Sequence, residues 1–78
     1  MKRILIAEDQ TDIRNLLVLN LRNAGYEVTD VADGVAALAS ETAQSNDLLI
    51  LDLKMPGLDG LEVCKNLGAR GCNTPRLV

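Results

Sequence analysis

The sequence predicts an α/β fold on one parallel sheet, and two patterns predict it. Three short apolar runs, 3–7, 28–32 and 48–53, each precede a stretch of helical periodicity, and a fourth run opens at 74–78. The order is therefore β-α-β-α-β-α-β, and strands alternating with helices pair in parallel through right-handed crossovers. Hydrophobic residues make up 47% of the 78, enough to form a core and too many for a disordered chain.

The first run is Arg3-Ile4-Leu5-Ile6-Ala7, closed by Glu8-Asp9. Beyond it Ile13, Leu16, Leu17, Leu21 and Ala24 recur at three-and-four spacing, which predicts an amphipathic helix stopped by Gly25. The second run is mixed with Glu27, Thr29 and Asp30, the polarity of an edge strand. Asp33 then stands where an N-cap belongs, ahead of Val35, Leu38, Ala39 and Ala43. Leu48-Leu49-Ile50-Leu51 is continuously apolar, as in a strand covered on both faces, and should be the most buried of the set. Asp59 with Glu62 three residues on resembles a capping box, Leu61, Cys64 and Leu67 share the predicted apolar face, and Gly68 ends that helix. Pro75 fits only the first residues of the last strand.

Strands starting near positions 3, 26, 47 and 75 are spaced by about 24 residues, and a five-strand sheet at that spacing needs about 120. The expectation is that residues 1–78 are the N-terminal part of a single domain whose C-terminal third lies beyond Val78.

Composition excludes several classes of function. One Tyr, no Phe and no Trp argue against a base-stacking nucleic-acid module, and a net charge of -3 disfavours direct nucleic-acid binding. No apolar run approaches a membrane span, and Glu8 ends the N-terminal run too early for a signal peptide. Histidine is absent, and Cys64 and Cys72 do not have zinc spacing. A reduced, cytoplasmic protein is expected, with Cys64 a small core residue and Tyr26 a packing residue.

In an open parallel sheet, ligands bind beyond the carboxyl ends of the strands. The first strand ends in Glu8-Asp9 and the third in Asp52, so neighbouring strands would bring three carboxylates into one crevice. Like charges at that density call for a hard cation with oxygen ligands, and Mg2+ (or Mn2+) with retained waters fits. The competing reading is that Glu8, Asp9 and Asp12 merely favour the N-terminus of the first helix. No G-x-G-x-x-G or G-x-x-x-x-G-K-[ST] is present, which disfavours nucleotides, and acids after the first strand disfavour a flavin phosphate. A carboxylate beside Mg2+ can attack phosphorus to form an acyl phosphate, and Asp52 is best placed to do so. Phosphohydrolases of the haloacid-dehalogenase type carry a second Asp two residues after the nucleophile, where this chain has Lys54.

Glu8-Asp9 after the first strand, followed by Asp52-Leu53-Lys54-Met55-Pro56-Gly57-Leu58-Asp59-Gly60, resembles the receiver domain of two-component response regulators. The second stretch matches D-x-x-M-P-x-x-D-G at every fixed position. The resemblance implies a flavodoxin-like, three-layer αβα fold with strand order 2-1-3-4-5 in the full domain, of which this chain holds three βα units and the start of strand four. It implies Asp52 as phospho-acceptor, Asp9 and Asp52 as direct Mg2+ ligands, Glu8 as a ligand through water, and the Lys54 backbone carbonyl as a further ligand. Gln10 and Lys54 would flank the phosphoryl group. A sensor histidine kinase or phosphotransfer protein would be the donor, and the domain would assist its own phosphorylation and dephosphorylation without being a turnover enzyme. The family's switch hydroxyl and active-site lysine would lie past Val78. An open edge on the last strand adds self-association to the expected contacts. The alternatives are a non-phosphorylated pseudo-receiver, which has no physical need for three converging acids, and a small metal-dependent hydrolase, disfavoured by Lys54 and the lack of His.

Overall fold

A computed structural model of the chain describes residues 2–52, 54–55, 57–71 and 74–77. The strands are β1 (Arg3–Ala7), β2 (Glu27–Val31), β3 (Leu48–Leu51) and β4 (Arg76–Leu77). The helices are α1 (Thr11–Asn23), α2 (Gly34–Ala43) and α3 (Gly60–Ala69). All strand pairs are parallel, in the order β2-β1-β3-β4. This is the predicted flavodoxin-like order, with β2 at one edge.

The sheet divides the core in two. On one face Leu5, Ala7, Leu49 and Leu51 pack with Ala37 of α2 and Val63 and Leu67 of α3. On the other, Ile4, Ile6 and Val28 pack with Val18 of α1, flanked by Leu17, Leu21, Leu48 and Ile50. The most buried strand is β1, with Ile4 through Ala7 all buried, whereas β3 alternates. The expectation of full cover for β3 fails because α1 is the one described helix on that face, leaving Leu48 and Ile50 half-buried. Leu5 is fully buried in β1, and Leu5→Ala should cost about 2–5 kcal/mol.

Helix ends follow the predicted chemistry, with one exception. Asp33 caps α2 by accepting from Ala36 N at 2.7 Å, and Asp59 caps α3 by accepting from Glu62 N at 2.9 Å. Gly25 ends α1 at φ 97°, in the left-handed region that favours glycine. Gly68 does not end α3. The helix continues to Ala69, and the left-handed residue is Gly71 at φ 77°.

Three inward faces differ from their predicted ones. Val18 is the buried residue of α1, while Ile13 and Leu16 are exposed. Helix α2 buries Gly34, Ala37 and Glu41 rather than Val35, and α3 buries Gly60, Val63 and Leu67 rather than Leu61. Cys64 is half-buried against the core as expected, and Cys72 lies outside the described residues. No described helix is long and apolar enough to cross a membrane.

Candidate functional site

Backbone bonds place the acids. Glu8 N donates to the Val31 carbonyl at 3.1 Å, extending the β1–β2 pairing by one residue. Asp52 N donates to the Ala7 carbonyl at 3.0 Å, which extends β1–β3 in the same way. Glu8 and Asp52 therefore leave adjacent strands side by side at their carboxyl ends, with Asp9 on the turn into α1. One carboxylate oxygen from each of Glu8, Asp9 and Asp52 lies within 4.8 Å of the others. Glu8 and Asp52 are half-buried and Asp9 is exposed, so the cluster forms a shallow, solvent-facing crevice.

A role at the N-terminus of α1 does not by itself explain why Asp52 joins Glu8 and Asp9. The N-cap of α1 is Gln10, which makes no side-chain cap bond. Of Glu8, Asp9 and Asp12, Asp12 alone sits inside the first turn, where it favours the helix dipole. Glu8 Oε2 accepts from Gln10 N at 3.2 Å, and Asp52 Oδ1 accepts a long bond from Lys54 N at 3.4 Å. Partial burial pushes the Glu8 carboxyl up from its usual 4.5, and the neighbouring Asp52 and Asp9 carboxylates push the same way against the Gln10 N–H. The donor set, hard oxygens under mutual repulsion and open to water, fits a small divalent cation.

The loop after Asp52 is set by glycine contacts. Gly57 adopts φ 79°. A Cβ on Gly34 would overlap the Leu58 carbonyl, so the first turn of α2 lies directly on this loop. Leu53 and Pro56 of the motif lie outside the described residues.

Two residues around the site escaped the sequence reading. Arg14 of α1 donates from Nη1 to the Glu8 carbonyl at 2.9 Å, and its Nε lies 3.2 Å from Asp30 Oδ2 at the end of β2. The available signal was a charged residue at position 14 on the same helical stripe as Leu17, Val18 and Leu21.

The family model for the response regulator receiver domain matches residues 4–78. The alkaline phosphatase synthesis transcriptional regulatory protein PhoP of Bacillus subtilis is 44% identical over 66 residues, covering 85% of this chain and 28% of PhoP. The receiver domain of a Francisella response regulator superposes with a TM-score of 0.95 at 29% identity, over 97% of this chain and 63% of that one. Response regulator TrrA of Thermotoga maritima, solved with Mg2+-BeF, gives a TM-score of 0.85 at 41% identity over 90% of this chain and 61% of TrrA. TrrA has also been solved in complex with histidine kinase ThkA. The chain spans about a third or less of the length of the curated relatives it matches. With a family match running nearly end to end on a fold of the same strand order, the chain belongs to the response regulator receiver domain family.

Proposed function

We propose that this chain carries the phospho-accepting site of a response regulator, with Asp52 as the nucleophile. The observation that carries the reading is the convergence of Glu8, Asp9 and Asp52 within 4.8 Å at the carboxyl ends of β1 and β3. Asp9 and Asp52 would hold Mg2+ directly, Glu8 through water, and the Lys54 carbonyl would complete the protein's share. When bound, the cation supplies charge neutralisation for the acids and for a phosphoryl group beside them. The residues do the rest. An Asp52 carboxylate oxygen attacks phosphorus, the phosphorus–nitrogen bond of a phosphohistidine donor breaks, and the imidazole leaves with the electron pair. The donor would be a histidine kinase or phosphotransfer protein, and the kinase complex of TrrA supports that choice. The acyl phosphate on Asp52 is the signal, and the domain would shape its lifetime without turning over a substrate. The chain's 60 to 65% coverage of the similar solved chains supports reading residues 1–78 as the N-terminal part of such a domain.

The test is labelling of the whole protein with a small phosphodonor and Mg2+, read as added phosphoryl by intact mass. Wild type should take up one group, and Asp52→Asn, which keeps the shape but removes the anionic nucleophile, should take up none. Stoichiometric uptake in that variant would overturn the assignment.

A further inference from the structure

We propose that Arg14 is a positioning residue for the acidic crevice, tying the Glu8 peptide to Asp30 of β2 so that Glu8 and Asp9 keep the spacing a cation requires. The inference rests on reading the crevice as a metal site and adds a residue outside the ligand set.

The geometry runs as a closed loop of bonds. Backbone N of Arg14 donates to the Gln10 carbonyl at 2.9 Å, fixing Arg14 in the first turn of α1. Its guanidinium reaches back to the Glu8 carbonyl at 2.9 Å and sideways to Asp30 Oδ2 at 3.2 Å. Glu8 N is held by the Val31 carbonyl, one residue past Asp30. Residue 8 is thus anchored to the end of β2 through both its amide and its carbonyl, and Asp9 continues from that anchored peptide. Asp52 is fixed independently by its bond to Ala7. The Arg14–Asp30 pair therefore sets where one side of the crevice stands relative to the other.

Arg suits this position for two reasons. The side chain is only 17% exposed, so its charge is screened less than a surface charge and needs both acceptors. A planar fork can serve two acceptors at once, whereas a lysine ammonium acts as a point charge. Three carboxylates repel one another in the metal-free protein, and the first turn of α1 is where they would spread. The clamp resists that spreading.

Positioning and plain electrostatics predict opposite signs. A guanidinium near three acids repels an incoming cation, so if Arg14 acted only through its charge, its removal would tighten Mg2+ binding. If Arg14 positions the site, removal weakens binding by about tenfold, the usual cost of losing a residue that orients a ligand.

The experiment titrates Mg2+ into the whole protein by calorimetry, with the metal-free fold of each variant verified by amide spectra. Arg14→Met should lower affinity about tenfold. Asp30→Asn should lower it less, and the double variant should be no weaker than Arg14→Met, because both changes remove one device. If Arg14→Met does not fold, Arg14→Lys replaces it, keeping stem and charge while losing the fork, and should also be weakened. Wild-type or tighter affinity in a folded Arg14→Met, or full affinity in Arg14→Lys, overturns the proposal. Asp9→Ala in the same titration separates the two readings. Unchanged affinity there would remove the metal site itself, whereas lost affinity there with intact affinity in the Arg14 variants removes the clamp alone.

Discussion

Carboxylates sit at both ends of this sheet, and they are held in opposite ways. At the amino end Glu41 is only 3% exposed, and it accepts from Asn46 N, Asn46 Nδ2 and Thr74 Oγ1 at 2.8–3.2 Å. These donors are neutral and come from two connecting segments. At the carboxyl end Glu8, Asp9 and Asp52 face one another, with Gln10 N and a long bond from Lys54 N as the donors to Glu8 and Asp52. A buried acid with several neutral donors is part of the architecture, because removing it strands those donors. Acids that mainly meet other acids are under repulsion and are relieved by a cation. Burial alone would have ranked Glu41 as the functional residue. The identity of the partners gives the opposite ranking.

Two substitutions should separate the ends. Asp9→Ala should reduce Mg2+ affinity below the range measurable by calorimetry while shifting the urea midpoint little, since Asp9 is exposed. Glu41→Ala should do the reverse, costing about 2–3 kcal/mol in urea unfolding of the whole protein and leaving Mg2+ affinity unchanged. A loss of metal affinity in Glu41→Ala, or a large stability loss in Asp9→Ala, would break the contrast.

The same contrast explains what the sequence made legible. The acids could be located because strand-end position depends on local pattern: an apolar run, then Glu8-Asp9 or Asp52. Helix orientation could not. In α1 the apolar residues Leu16-Leu17-Val18-Leu19 are consecutive, so more than one face satisfies the period, and contact with Ile4, Ile6 and Val28 selects Val18. Gly68 and Gly71 are both candidate stops by composition, and only backbone conformation separates them. Glu41 and Arg14 share one difficulty. Thr74 lies 33 residues from Glu41, and Asp30 reaches Arg14 only after β1 and β2 pair. A tertiary partner is invisible until the fold is known.

A smaller effect tests how firmly the α2 start holds the acidic end. A methyl on Gly34 meets the Leu58 carbonyl, which is backbone and cannot rotate away. Gly34→Ala should therefore displace the 57–59 loop and cost about 1–3 kcal/mol, as overpacking does. Crystallography of the variant should show α2 or that loop moved. An unmoved loop with unchanged urea stability would show that the contact has slack.

The smallest effect is the most direct probe of repulsion in the acidic crevice. Glu8 holds its proton more readily in the folded protein than in the unfolded chain, because burial and the Asp52 and Asp9 carboxylates raise its pKa above 4.5. The folded state then binds more protons than the unfolded one between 4.5 and the raised value. The stabilisation from protonated Glu8 is fully present below 4.5 and is lost as pH rises through that window. Glu8→Gln keeps the group neutral at every pH. In metal-free buffer at pH 7 the variant should be more stable than wild type, by less than about 1 kcal/mol given solvent screening. The difference should vanish below 4.5, where wild-type Glu8 is neutral as well. Saturating Mg2+ should reverse the order at pH 7, because the cation turns the ionised carboxylate from a liability into a partner. Thermal unfolding of both proteins at three pH values, with and without Mg2+, measures all of this. If Glu8→Gln were less stable than wild type at pH 7 without metal, Glu8 would resemble Glu41 more than Asp9, and the division between the two ends would have to be redrawn.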